Sequence, residues 1–272
     1  VVFAGGETAG PVMPLLALAD FWKKTEPDLE PIFLDIHHSV SARVVPSRGY
    51  GFKSIMSGKF RRYWTYKNFL SPFQLIIGLI QSLYILTKYR PVIVIGAGGY
   101  VQVPVILAAW ILRIPRLIHQ QDIVPTFSNK ICNPLVNKIT TTFEKSVKDF
   151  PQGLGFEKNY SQYIKTEWIG NPTDLSLAEL TQDKKNSALK VFKLESDWPT
   201  VLVIGGGSGA KGLNTAVAHN LPELLKIAQV VHSTGAGKRF RVDIDISHGH
   251  DRYHQYEFID QISQSYLAAD IV

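Results

Sequence analysis

Short runs of consecutive apolar residues that empty into glycine or polar loops set the rhythm of this chain. Residues 1–4, 31–36, 92–95, 116–119 and 138–142 are β-type runs, and between them lie longer segments with apolar positions at helical spacing, at 14–24, 72–88, 103–112 and 127–135. Strands that are apolar throughout and alternate with helices predict a parallel sheet covered on both faces. Residues 36–72 read as a loop-rich stretch. The rhythm resumes after Trp168-Ile169-Gly170-Asn171-Pro172 with a polar helical segment ending near Lys193. Strands then follow at 200–204, 229–233 and 256–259, with helices at 212–227 and 262–267, before a last apolar run at Ile271. The pattern predicts two nucleotide-type α/β domains, residues 1–171 and 172–272, hinged at about Asn171.

Three strand-to-helix junctions are rich in glycine: GGETAG from Gly5, GAGGY from Gly96 and GGGSGAKG from Gly205. At such a junction the first N–H groups of the helix have no internal partner and sit at the positive end of its dipole, so they can hold a phosphate directly. Glycine lets the backbone approach that phosphate and adopt positive φ. The spacing in GGETAG departs from the G-x-G-x-x-G dinucleotide fingerprint, which disfavours an NAD-type oxidoreductase. GGGSGAKG is the stronger signal, with the Ser208 hydroxyl and Lys211 at the helix start.

The 272 residues are 45% hydrophobic, enough for two ordinary cores. The single cysteine, Cys132, excludes an internal disulfide and points to a reducing compartment. No signal peptide is visible. The chain opens inside a strand without Met and stops in another, so it reads as a piece clipped a little in front and more behind.

The net charge of +6 is unevenly spread. Between Ile36 and Gln121 there is no Asp or Glu against eleven Lys and Arg. That field suits an anionic surface or a diphosphate-bearing substrate. Lys59, Arg61, Arg62 and Lys67 are interleaved with Phe60, Tyr63, Trp64, Tyr66 and Phe69 ahead of an apolar helix, a composition that fits an interfacial anchor better than a nucleic-acid site. The apolar run 75–86 is too short to span a bilayer, and taken alone it reads as a core helix.

His119 ends the strand RLIH and is followed by Gln120, Gln121 and Asp122, which places it at the carboxyl edge of the sheet, where ligands of such folds bind. His37 and His38 also follow a strand but have no polar cluster near them in sequence, and they read as structural. His248, His250 and His254 with Asp251 read as a solvated loop rather than a metal site.

Taken in order, GGETAGPVMP, GAGGYVQVP, HQQDIVPTFSNK, GNPTD, GGGSGAKGLN and YEFIDQISQSYLAADIV resemble the motifs of the MurG family of bacterial peptidoglycan glycosyltransferases. The resemblance implies a GT-B fold, two Rossmann-like domains facing across a cleft, the second incomplete here. It implies inverting transfer of GlcNAc from UDP-GlcNAc to undecaprenyl-pyrophosphoryl-MurNAc-pentapeptide without a metal or other cofactor, by a peripheral enzyme on the cytoplasmic face of the plasma membrane. Carried onto this sequence, the sugar-nucleotide site comprises Thr8, Ala9, Gly10, Asp122, Gly206, Gly207, Ser208 and Ile259. The acceptor side comprises Gly98, Gly99, Tyr100 and His119, the base candidates are His119 and Asp122, and Lys59, Arg61, Arg62, Trp64, Lys67 and Phe69 associate with the membrane. The chain departs from the family pattern at Glu7 (usually glycine), Pro11 (usually histidine), Gln120 (usually glutamate), Asp122 (usually asparagine) and Asp174 (usually arginine). The phosphate-contacting serine of the family falls on Gly207, with Ser208 one place later. Pro11, Gln120 and Asp174 motivate an alternative reading, a sugar-nucleotide or lipid-pyrophosphate binding protein without activity.

Overall fold

The computed structural model describes residues 1–59, 67–150, 166–174, 181–206, 209–240 and 250–272. Contacts divide the chain into two compact units, Val1–Thr173 and Asp174–Val272.

The first unit runs β1 (Val2–Ala4), α1 (Ala9–Thr25), β2 (Ile32–Asp35), α2 (Ser41–Ser47), β3 (Gly51–Ser54), α3 (Lys67–Tyr89) and β4 (Val94–Gly96). It continues with α4 (Gln102–Ile111), β5 (Arg116–Gln120), α5 (Phe127–Cys132), β6 (Lys138–Thr141) and β7 (Thr166–Trp168). The seven strands form one sheet in the order β3-β2-β1-β4-β5-β6-β7, every pairing parallel. Strand order reverses between β1 and β4, which opens a crevice at their carboxyl ends. Alternation along β1 divides the core: Val2 and Ala4 pack with Val94, Val105, Ile118 and Ile139 on one face, while Phe3 turns to the other, 4.8 Å from the Phe33 ring.

The second unit runs α6 (Gln182–Val191), β8 (Thr200–Ile204), α7 (Lys211–Leu224), β9 (Gln229–Ser233), β10 (Tyr253–Tyr256) and α8 (Ile262–Ala268). Its parallel sheet has the order β10-β9-β8, and Ile271 bridges Val201 on the free side of β8. That bridge puts a second reversal of strand order between β8 and the chain at Ile271, the same arrangement as in the first unit.

Several boundaries differ from the sequence reading. Helix α1 begins at Ala9, a turn earlier than predicted from Pro14, because Pro11 falls within the first turn, where a missing N–H is harmless. The loop-rich stretch contains α2 and β3. The strand was hidden because Gly51–Ser54 is a largely exposed sheet edge with no apolar alternation. The last strand spans Tyr253–Tyr256, three residues before the predicted 256–259.

Helix α3 corrects the reading of 72–88 as a core helix. Ser71, Ser82, Ile85 and Leu86 are buried, and α3 packs on α4, but Phe69, Phe73, Ile76, Ile77, Ile80 and Tyr84 lie exposed along the opposite face. The span Phe69–Tyr89 is long and apolar enough by composition to cross a bilayer, yet its inner face belongs to the core of the first unit. Gly78 sits on that inner face, where a Cβ would collide with the Met56 carbonyl.

Helix propensity alone favours Gly78→Ala by roughly 1 kcal/mol. Overpacking against backbone typically costs about 1–3 kcal/mol and wins here. Chemical denaturation should show Gly78→Ala to be less stable than the parent; a stabilised variant contradicts the packing described for α3.

Candidate functional site

In the first unit the loop after β1 folds down onto Asp35. Gly6 lies so close that a Cβ there would collide with the Asp35 carboxylate. Asp35 is fully buried and accepts from the Glu7 N–H at 3.2 and 3.3 Å and from the Ile36 N–H at 2.7 Å. Burial raises its pKa above the ordinary carboxylate value, more than these hydrogen bonds lower it. Glu7 occupies the left-handed region at φ 72°. Its carboxylate accepts from Lys59 Nζ at 2.6 and 2.7 Å, and that ammonium stands 5.7 Å from the centroid of the Tyr100 ring. A non-glycine residue in that region costs on the order of 1 kcal/mol, and a half-exposed ion pair returns about 0–1, so the two roughly offset. Thr8 is extended and makes no side-chain cap bond to the first turn of α1, which Ala9 and Gly10 begin.

The loop after β4 lies against it. Gly98 and Gly99 have φ of 100° and 77°, and a Cβ on Gly99 would stand 3.0 Å from the Gly6 carbonyl oxygen. The Gly98 N–H donates to Gln102 Oε1 at 2.9 Å. Buried amides tie this loop to the one after β5. Gln102 Nε2 donates to Asn129 Oδ1, and Asn129 Nδ2 donates to Gln120 Oε1 at 2.6 Å. Gln120 Nε2 donates to the carbonyls of Asp122 and Val124 at 2.8 and 3.1 Å, while Gln121 Nε2 donates to that of Ala97 at 2.7 Å.

His119 is 4% exposed, with Nδ1 2.9 Å from Thr140 Oγ1 and Nε2 3.1 Å from Thr142 Oγ1 and 3.3 Å from Asn171 Oδ1. Burial lowers its pKa, partly opposed by the Asn171 hydrogen bond. Asn171 Oδ1 can only accept, so the ring proton belongs on Nε2. Asp122 stands exposed two residues beyond the buried Gln120.

A cavity of about 660 Å³ opens beside the first loop, lined by Glu7, His37, His38, Ser57, Lys59 and Gln74 among others. His37 and His38, read as structural from sequence, stand exposed on its wall with rings stacked at 4.8 Å. Sequence alone could not show this, because their polar neighbours come from segments before β2 and after β3. Of the residues expected at the membrane, Arg61, Arg62 and Trp64 lie outside the described residues, as does the side chain of Lys67. Lys59 is paired with Glu7, and Phe69 is 70% exposed at the head of the α3 stripe.

In the second unit β8 empties into Gly205 and Gly206, the latter at φ 74°, while Gly207 and Ser208 lie outside the described residues. Gly209 has φ 69°, and a Cβ there would collide with the Thr234 carbonyl. Helix α7 begins after Ala210, which makes no side-chain cap bond. Ile259 is buried in the core with Leu202, Val231 and Leu267, so its side chain is committed to packing and only its backbone is available to a ligand. Asp174, at the hinge motif, accepts from Ser263 Oγ at 2.6 Å. His248 lies outside the described residues, and among the described residues no group of three His, Cys, Asp or Glu is placed to hold a metal ion.

Comparison with known proteins follows this geometry. Residues 1–141 match the glycosyltransferase family 28 N-terminal domain and residues 200–272 the corresponding C-terminal domain. A UDP-N-acetylglucosamine–N-acetylmuramyl-(pentapeptide) pyrophosphoryl-undecaprenol N-acetylglucosamine transferase from Lachnospira eligens is 36% identical, covering 100% of this chain and 72% of the relative. Among solved structures, Acinetobacter baumannii MurG matches with a TM-score of 0.60 at 20% identity, over 99% of this chain and 70% of that one. The UDP-GlcNAc 2-epimerase of Neisseria meningitidis, solved bound to UDP-GlcNAc, matches with a TM-score of 0.61 at 13% identity, over 98% and 73%. These structures agree with the two-unit, parallel-sheet GT-B fold class.

Two buried histidines set an acid limit on stability. His119 and His232 both have pKa values lowered by burial, the second to about 4 from an ordinary 6.5. The unfolded chain binds these protons more readily, so their contribution is complete above pH 6.5 and is lost as pH falls through the window toward 4. Unfolding midpoints should drop across that window, and NMR should find the His232 ring still neutral at pH 5.5; a ring titrating near 6.5 contradicts the burial.

Proposed function

The chain belongs to glycosyltransferase family 28, in its MurG branch, and from that premise we propose how its two glycine-loop sites divide the work. The reaction is transfer of GlcNAc from UDP-GlcNAc to undecaprenyl-pyrophosphoryl-MurNAc-pentapeptide, the step that makes lipid II in peptidoglycan synthesis. The observation that carries the division is the loop after β8. Gly206 and Gly209 hold positive φ, the Gly209 N–H closes the loop onto the Gly206 carbonyl at 3.1 Å, and the helix that follows has no side-chain cap, which leaves its first N–H groups beside the reversal of strand order.

The second unit holds the donor. As the acceptor hydroxyl attacks the anomeric carbon and inverts it, the bond to UDP breaks and negative charge grows on the diphosphate. The Gly206 N–H, the first N–H groups of α7 and the helix dipole stabilise that charge without a divalent ion, each well-aimed donor contributing about 3 kcal/mol. The Ile259 backbone borders the uridine.

The first unit holds the acceptor, with Gly98, Gly99 and Tyr100 around its diphosphate. Asp122 is the general base. His119 has its proton on Nε2 and its lone pair on Nδ1 turned to Thr140, so it has nothing to offer an incoming hydroxyl. The carboxylate usual for the family at 120 is an amide here, and Asp122 restores an acid two residues along. Gln120 fixes it there through its bond to the Asp122 carbonyl. The exposed stripe of α3 and the basic segment ahead of it bind the cytoplasmic face of the plasma membrane, each cation near an anionic surface adding about 1 kcal/mol.

Radiolabelled GlcNAc transfer to a short-chain lipid acceptor should proceed in excess EDTA. Asp122→Asn should lower kcat by about a hundredfold or more. Loss of transfer in EDTA overturns metal independence, and an active Asp122→Asn overturns the base assignment. Replacing Phe69, Phe73 and Ile80 together with Ser should weaken binding to anionic vesicles at least tenfold and leave UDP binding alone; unchanged vesicle binding removes α3 from the membrane contact.

A further inference from the structure

Beneath the second glycine loop runs a single file of hydrogen bonds whose direction is fixed. Asn214 Nδ2 donates to the Thr234 carbonyl at 3.0 Å, which leaves Asn214 Oδ1 as an acceptor. His232 Nε2 lies 3.1 Å from that oxygen and therefore bears the ring proton. His232 Nδ1, left with its lone pair, accepts from the Tyr253 hydroxyl at 2.9 Å, and that hydroxyl accepts in turn from Gln255 Nε2 at 3.0 Å. The file thus runs from β10 through His232 on β9 to the first turn of α7. His232 is fully buried and Asn214 nearly so.

The file ends on the carbonyl that also seats the glycine loop. Gly209 lies against Thr234 so closely that no Cβ fits between them, and the Asn214 N–H bonds to Ala210, the residue that begins α7. The Thr234 carbonyl is thereby held from one side by Asn214 and packed from the other by Gly209. We propose that His232 is a positioning residue for the donor: acting through Asn214, it fixes the first turn of α7 and the seat of Gly209, and so the aim of the N–H groups at the diphosphate. This rests on the reading of that loop as the donor site. His232 itself touches no substrate.

Two amide replacements of His232 separate aiming from filling. In His232→Gln the terminal NH2 reaches the place of Nε2 and still donates to Asn214; in His232→Asn it stops one carbon short. Calorimetry of UDP on the full chain should find the Gln variant within about twofold of the parent and the Asn variant about tenfold weaker, the loss expected for one hydrogen bond. KM for UDP-GlcNAc should rise in the Asn variant while KM for the acceptor stays put. Equal losses in both variants, or loss in neither, overturn the proposal. Should His232→Asn fail to fold, Tyr253→Phe takes its place. Without the hydroxyl the buried Nδ1 lone pair loses its donor and the ring is anchored from the Asn214 side alone, so UDP affinity should fall about threefold; unchanged affinity overturns the proposal. A parent protein that binds no UDP rejects instead the reading of the loop on which the proposal rests.

Discussion

The N–H groups of the first helical turn have no partner inside the helix, and something must meet them. Two helices meet them with a side chain: Thr126 caps α5 by accepting from the Asn129 N–H, and Thr181 caps α6 by accepting from the Lys184 N–H. At α1, α4, α7 and α8 the residues in the same place, Thr8, Val101, Ala210 and Gln261, make no such bond, and of these helices α1 and α7 follow the strands β1 and β8, beside which strand order reverses. A parallel sheet starts each of its following helices at the carboxyl edge, so these two unmet sets of donors are delivered beside the crevices. Fold and ligand preference thus come from one constraint, applied once in each unit.

Keeping those donors aimed falls to neutral groups. Around the first loops Gln102, Asn129, Gln120 and Gln121 connect the ends of β4 and β5 through uncharged amides, and in the second unit an imidazole and an amide do the same. Amides can be fully buried at little electrostatic cost if every donor finds an acceptor, whereas a charge in the same place demands a counter-ion. Asp35, the one acid beneath the first loop, is held by N–H groups and its carboxyl is pushed toward the neutral form.

Much of this was legible in the order of residues because the signals are local. Apolar runs that break into glycine marked β1, β4 and β8, and the same breaks located both crevices. What escaped the sequence depends on partners brought from far away. The short edge strand at Gly51–Ser54 acquires its role only by pairing with β2. His37 and His38 meet Lys59 and Gln74 only once α3 packs against the chain at Met56, and nothing near Asn214 announces His232, eighteen residues on. His119 and Asp122 are both suitable residue types for the base, and the proposal of Asp122 draws on hydrogen-bond partners of the imidazole that come from β6 and from Asn171, far away in sequence.

Helix α3 is finished on one side only. An uninterrupted greasy strip of that length, facing water, attracts any apolar area within reach, and the most abundant such area in a concentrated solution is the same strip on another molecule. Dispersity in aqueous buffer therefore reports on how well that strip is covered, and clumping relieved by mild detergent marks an uncovered strip rather than a chain that has misfolded.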